Sequence, residues 1–147
     1  MLKLVTGSVA IFTIGCFCFH ILTVLLGASL IEAVDSTFLF ACLCSSLTVF
    51  PLYIAHEGRW EDFFDLLPEE LDVRHRLSDG VKVVAFLTVF GAWVGAFPIP
   101  LDWDRDWQKW PITVCMGALG GHVVGLLTVV CMCSSAYERM TAKGKLW

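Results

Sequence analysis

The chain has 147 residues, 57% of them hydrophobic and 16% charged, with a formal net charge of −4 and a mean hydropathy of +0.75. Soluble domains carry about one quarter charged residues, so this composition marks a membrane protein. The acids cluster between Glu57 and Asp79 and there is no basic run, which argues against a nucleic-acid partner.

Four stretches lack Asp, Glu, Lys and Arg: 4–31, 36–55, 83–101 and 110–137. About 20 apolar residues cross a bilayer as a helix, and a helix satisfies its own backbone where water cannot. The expected architecture is all-α: a polytopic membrane helix bundle forming one domain over 1–147. Its four transmembrane helices fall at about 4–27, 36–55, 81–98 and 111–133. The first run far exceeds the apolar core of a signal peptide, so it reads as a retained helix.

Within the first helix, His20 is an ionisable group at membrane depth. Such groups are functional candidates, although a neutral histidine can simply bond a neighbouring helix. Glu32 and Asp35 follow as solvated turn residues, with Glu32 also able to meet a basic group on a partner. In the 56–80 loop, Trp60, Phe63, Phe64, Leu67 and Leu71 recur at helical spacing with Glu61, Asp62, Asp65 and Glu69 between them. That pattern predicts an amphipathic surface helix, which Pro68 could interrupt.

The third helix carries Gly91-x-x-x-Gly95 and Ala92-x-x-x-Ala96, with Trp93 between them. It then runs into "FPIPLDWDRDWQKWP", 97–111. Pro98 and Pro100 end the helix by removing backbone donors. Trp103, Trp107 and Trp110 suit a membrane–water interface. Asp102, Asp104 and Asp106 invite a cation, but the segment lacks the spacing and glycine of a calcium loop. It has no nearby histidine and no placed nucleophile. Residues 98–111 therefore read as a rigid interfacial hairpin, with no catalytic, metal or cofactor set.

Pro111 is placed to open the fourth helix. Along it run Gly117-x-x-x-Gly121-x-x-x-Gly125, with Gly120 and the second intramembrane histidine, His122. Small residues four apart let helices approach closely in lipid. Spacing leaves open whether they join helices of this chain or dock a partner's. The seven cysteines all lie in apolar runs and read as small buried hydrophobes. Among Lys and Arg, only Arg105 and Lys109 fall on the hairpin side, so the positive-inside rule places both termini and the 56–80 loop in the cytosol.

"GAWVGAFPIPLDWDRDWQKWPI", followed by "GALGGHVVGL", resembles the signature of the PIG-F family. "CFCFHILTVLLGASLIEAVDSTFLFACLCS" is similar, more weakly, to a family segment with a Phe-His pair and a Leu-Ile-Glu ending. The acidic 57–80 segment shows no counterpart. The resemblance implies a small multi-spanning, non-catalytic subunit in the endoplasmic reticulum membrane, in contact with membrane lipids. It would stabilise a large multi-spanning enzyme that adds ethanolamine phosphate to a mannose of the glycosylphosphatidylinositol (GPI) anchor precursor. The partner-binding residues would be Gly91, Trp93, Gly95, Pro98, Pro100, Asp102, Trp103, Asp104, Trp107, Trp110, Gly117, Gly121 and Gly125, with His20, Glu32 and His122 as polar intramembrane contacts. Family members usually carry two further membrane helices before the segment matched here, and an even number leaves the expected orientation unchanged. Two other readings stand beside it. One is a small transporter or channel using His20 and His122. The other is a self-contained lipid-headgroup enzyme using Asp102, Asp104 and Asp106.

Overall fold

A computed structural model describes residues 2–29, 31–56, 73–101 and 105–144. Every regular element among them is helical: α1 (Leu2–Leu25), α2 (Val34–Leu47), α3 (Val49–Ala55), α4 (Val73–Ala96), a short 3-10 turn (Asp106–Gln108) and α5 (Ile112–Gly144). Four apolar spans are long enough to cross a membrane: Val5–Leu25, Val34–Ala55, Asp79–Ala96 and Ile112–Ser135. The all-α four-span architecture expected from the sequence is the one observed.

Local chemistry explains the helix ends. α1 stops at Gly27, whose φ of 107° is left-handed. The Gly27 N–H donates to Val24 O and the Ala28 N–H to Thr23 O, both at 3.0 Å. Those two bonds form a Schellman cap, which favours glycine at this position. The second span is one run in sequence but two helices in space. Thr48 lies between them with φ −122° and ψ −72°. Pro51, two residues into α3, has no N–H to give Leu47 O, and its ring crowds that carbonyl. The Thr48 hydroxyl donates to Cys44 O at 2.6 Å, which holds the kink from the inside.

The third and fourth helices extend beyond the expected membrane spans. α4 begins at Val73, so 73–80, expected as loop, is helical; α5 continues to Gly144 rather than ending near 133. The expectation stopped at the first charges, where the membrane stops. Charged residues such as Arg, Lys and Glu are good helix formers, so the helices continue beyond it. The amphipathic helix expected around Trp60 to Leu71 lies outside the described residues.

α1 packs on α2 and α3, and α4 packs on α5, α2 and α3. The bundle is therefore two helical pairs joined mainly through the broken second span. Between α1 and α2, Gly15 lets Ser45 approach, and the Ser45 hydroxyl donates to Phe12 O at 2.9 Å. Phe40, Cys44, Ala92, Val114 and Ala118 form the core where α2 meets the α4–α5 pair, with Phe19, Ile99 and Trp110 packed around it.

Candidate functional site

The glycine motifs of α4 and α5 face each other within the chain. A Cβ on Gly91 would collide with the Gly117 carbonyl, one on Gly95 with Thr113 O, and one on Gly121 with Leu87 O. A Cβ on Gly117 would also lie 2.9 Å from Gly95 Cα, and one on Gly125 would lie 2.8 Å from Val84 Cα. The two backbones are in direct contact along this seam, which is the geometry small residues permit in lipid. Of the two uses the spacing left open, the structure shows the internal one. Gly120 is the exception: a Cβ there meets nothing within 4 Å.

Beside the seam, the Thr88 hydroxyl donates to Val84 O at 2.7 Å and lies 3.0 Å from His122 Nδ1. With the Thr88 hydrogen committed to its own helix, His122 donates through Nδ1, leaving Nε2 as the ring's acceptor. His122 thus cross-links α4 and α5. His20 is different: its Nδ1 is buried with no hydrogen-bond partner among the described residues, and its ring lies edge-on to Phe38 at 6.0 Å.

At the end of the seam, the prolines force an irregular exit. α4 stops at Ala96, and Phe97, Ile99 and Leu101 each donate to the carbonyl three residues back. The Leu101 carbonyl then needs a donor, and the Pro98 carbonyl, which takes the Leu101 N–H, can accept a second. Gln108 supplies both, its Nε2 donating to Pro98 O at 2.7 Å and to Leu101 O at 2.8 Å. Its Oε1 accepts the Arg105 N–H at 3.0 Å. Gln108 is only 7% exposed, so this one buried amide locks the hairpin from within. Lys109 and Asp106 form an exposed ion pair at 2.6 Å.

The tryptophans divide. Trp110, expected at the interface, is turned inward: its Nε1–H donates to Thr37 Oγ1 at 3.0 Å and its ring meets Phe40 edge-on at 5.6 Å. An indole N–H turned into the bundle needs a partner, and Thr37 at the head of α2 provides one. Trp107 remains exposed. Trp93 points outward with Phe86, Phe90 and Phe97 in a continuous aromatic ladder, with neighbouring ring centroids 5.1 to 6.2 Å apart. Glu32 is exposed at the turn after α1, its N–H bonded to Ser29 Oγ at 3.0 Å. Asp102, Trp103 and Asp104 lie outside the described residues. The structure therefore gathers the glycines, Pro98, Pro100 and Trp110 around one helical pair, and leaves His20 and Glu32 on α1 and its turn.

Sequence reasoning passed over two residues that organise this region, Gln108 and Thr37. Gln108 could have been found by asking which donor serves carbonyls freed by a proline-rich exit. Thr37 carried no such signal, because its partner is 73 positions away.

No solved structure matches this chain. The family described as "GPI biosynthesis protein family Pig-F" matches residues 1–130. A Mus musculus protein named "GPI ethanolamine phosphate transferase, stabilizing subunit" is 40% identical over 116 residues, covering 79% of this chain and 52% of its own length. The Homo sapiens protein of that name is 38% identical over the same shares. A Yarrowia lipolytica protein, "Glycosylphosphatidylinositol anchor biosynthesis protein 11", is 42% identical over 106 residues, or 72% of this chain and 45% of its own. The chain spans about half the length of these relatives. With the match running through both helical pairs and the locked hairpin, the chain belongs to the PIG-F family of GPI biosynthesis proteins.

Proposed function

We propose that this chain acts as a stabilising subunit of a GPI ethanolamine-phosphate transferase in the endoplasmic reticulum membrane. It holds a large multi-spanning catalytic partner in place and supports addition of ethanolamine phosphate to a mannose of the GPI precursor without performing the transfer. The observation that carries this reading is the family match, which includes relatives named as stabilising subunits of that transferase.

The geometry is compatible with such a role. The seam is consumed by internal packing and the hairpin is locked from within, so the pair presents a fixed outer surface. Among the described residues, that surface carries the aromatic ladder with Trp93 and the exposed Trp107. A rigid aromatic surface can bind with little loss of side-chain freedom. With the termini in the cytosol, the hairpin faces the lumen and would meet a lumenal part of the partner. The test is an affinity pull-down in mild detergent comparing wild type with a Trp103→Ala/Trp107→Ala double variant. The reading expects the transferase to be recovered with wild type and weakly with the variant. Recovery of no transferase by the wild-type chain would sink it.

A further inference from the structure

Because α1 packs on α2 and α3 but not on α4, a groove separates α1 from α4 on the hairpin side. Its volume is about 650 Å³, within the ~300–1,000 Å³ typical of small-ligand sites. The walls are apolar: Phe19 and Leu22 from α1, Phe40 from α2, Val89 and Trp93 from α4, with Trp110 closing one end. On α1 and α4 it runs from Phe19 to Leu26 and from Val89 to Ala96, seven residues or about 10 Å of helical rise. That depth fits within one leaflet, roughly half of a ~30 Å hydrocarbon core. Deeper in, the kinked α3 packs against both α1 and α4 and closes the space. A membrane-spanning helix of another protein would therefore meet α3, whereas an acyl chain entering from one leaflet would not.

The mouth is polar in a specific way. Among the described residues that line the groove, Glu32 alone carries a charge. Its carboxylate is exposed and accepts hydrogen bonds only. Beside it, Ser29 Oγ accepts the N–H groups of Ile31 and Glu32 at 3.3 and 3.0 Å, which leaves the Ser29 hydroxyl hydrogen free to donate. The mouth thus offers an acceptor for a cation and, next to it, a donor for an anionic oxygen. We infer that the groove binds one phospholipid with a zwitterionic ammonium–phosphate headgroup. Its acyl chain lies against Phe19, Val89 and Trp93, its ammonium pairs with Glu32, and its phosphate accepts from Ser29. The site is built from this chain's own residues and does not depend on the proposed partner.

The test uses the full chain in nanodiscs of phosphatidylethanolamine, phosphatidylcholine and phosphatidylglycerol mixed in equal amounts, released for native mass spectrometry. Wild type is expected to retain one zwitterionic lipid over phosphatidylglycerol by about tenfold, the scale of one charge-assisted hydrogen bond. Glu32→Gln, at an exposed site that leaves packing intact, should bring that ratio close to one while a lipid is still retained. Val89→Trp, which fills the groove from a partly exposed position, should remove the bound lipid. Equal retention of phosphatidylglycerol by wild type, or an unchanged ratio in Glu32→Gln, would overturn the inference. So would a photo-crosslinker at position 89 that captured a segment of another protein in native membranes instead of lipid.

Discussion

The indole Nε1–H of Trp110 donates to Thr37 Oγ1 at 3.0 Å, joining the start of α5 to the start of α2 across 73 positions of chain. The Thr37 hydroxyl in turn donates to Ala33 O at 2.8 Å, so the chain of bonds ends on the backbone just before α2. Thr37 is fully buried, and water cannot replace either bond. This relay fastens the hairpin end of the α4–α5 pair to the first half of the bundle. Trp110→Phe and Thr37→Val are each expected to lower stability by about 1 kcal/mol, with coupling of roughly 0.5–1.5 kcal/mol in the double variant. Thermal unfolding of the four proteins in one detergent measures this. Additive effects would mean that the bond contributes nothing.

The seam predicts a contrast between adjacent glycines. Gly121→Leu must push α4 and α5 apart, because even a Cβ there collides with Leu87 O. A cost above about 3 kcal/mol, or failure to give a single peak in gel filtration, is expected. Gly120→Leu points into open space and should stay within about 0.5 kcal/mol of wild type. Similar behaviour of the two variants would refute this packing.

Gln108 makes a sharper claim about the hairpin. Gln108→Leu keeps the volume but strands the Leu101 carbonyl and the Arg105 N–H, and leaves Pro98 O with only the Leu101 N–H. A loss of about 2–4 kcal/mol in local or global stability is expected. Hydrogen exchange should show faster exchange across 97–111, with α1 unaffected. Protection unchanged at Arg105 would argue against the lock.

His122 is bonded to Thr88 across the seam through Nδ1. His122→Asn, which can still donate to Thr88 Oγ1, should retain more stability than His122→Leu, by about 1 kcal/mol. Equal stability of the two variants would leave the histidine without this structural role.

These contrasts also show what the residues disclosed on their own. The spans follow from long uncharged runs, and the bilayer imposes helices on such runs, so the four-span fold was readable directly. The seam was visible as a pattern but not as a destination, because spacing says that a helix is approachable and not by what. The inward turn of Trp110 was hidden because an indole serves equally well at an interface or in a core. Only its distant neighbours Thr37 and Phe40 decide which. The kink at Thr48 was foreseeable from Pro51, four residues after the carbonyl it displaces.

The central claim concerns what this chain does for another protein. Deleting it from cells and restoring it as wild type, then quantifying the GPI ethanolamine-phosphate transferase in the membrane fraction, tests that claim most directly. The account predicts that the transferase falls in abundance on deletion and recovers with wild type. A transferase that stays abundant and active without this chain would contradict it.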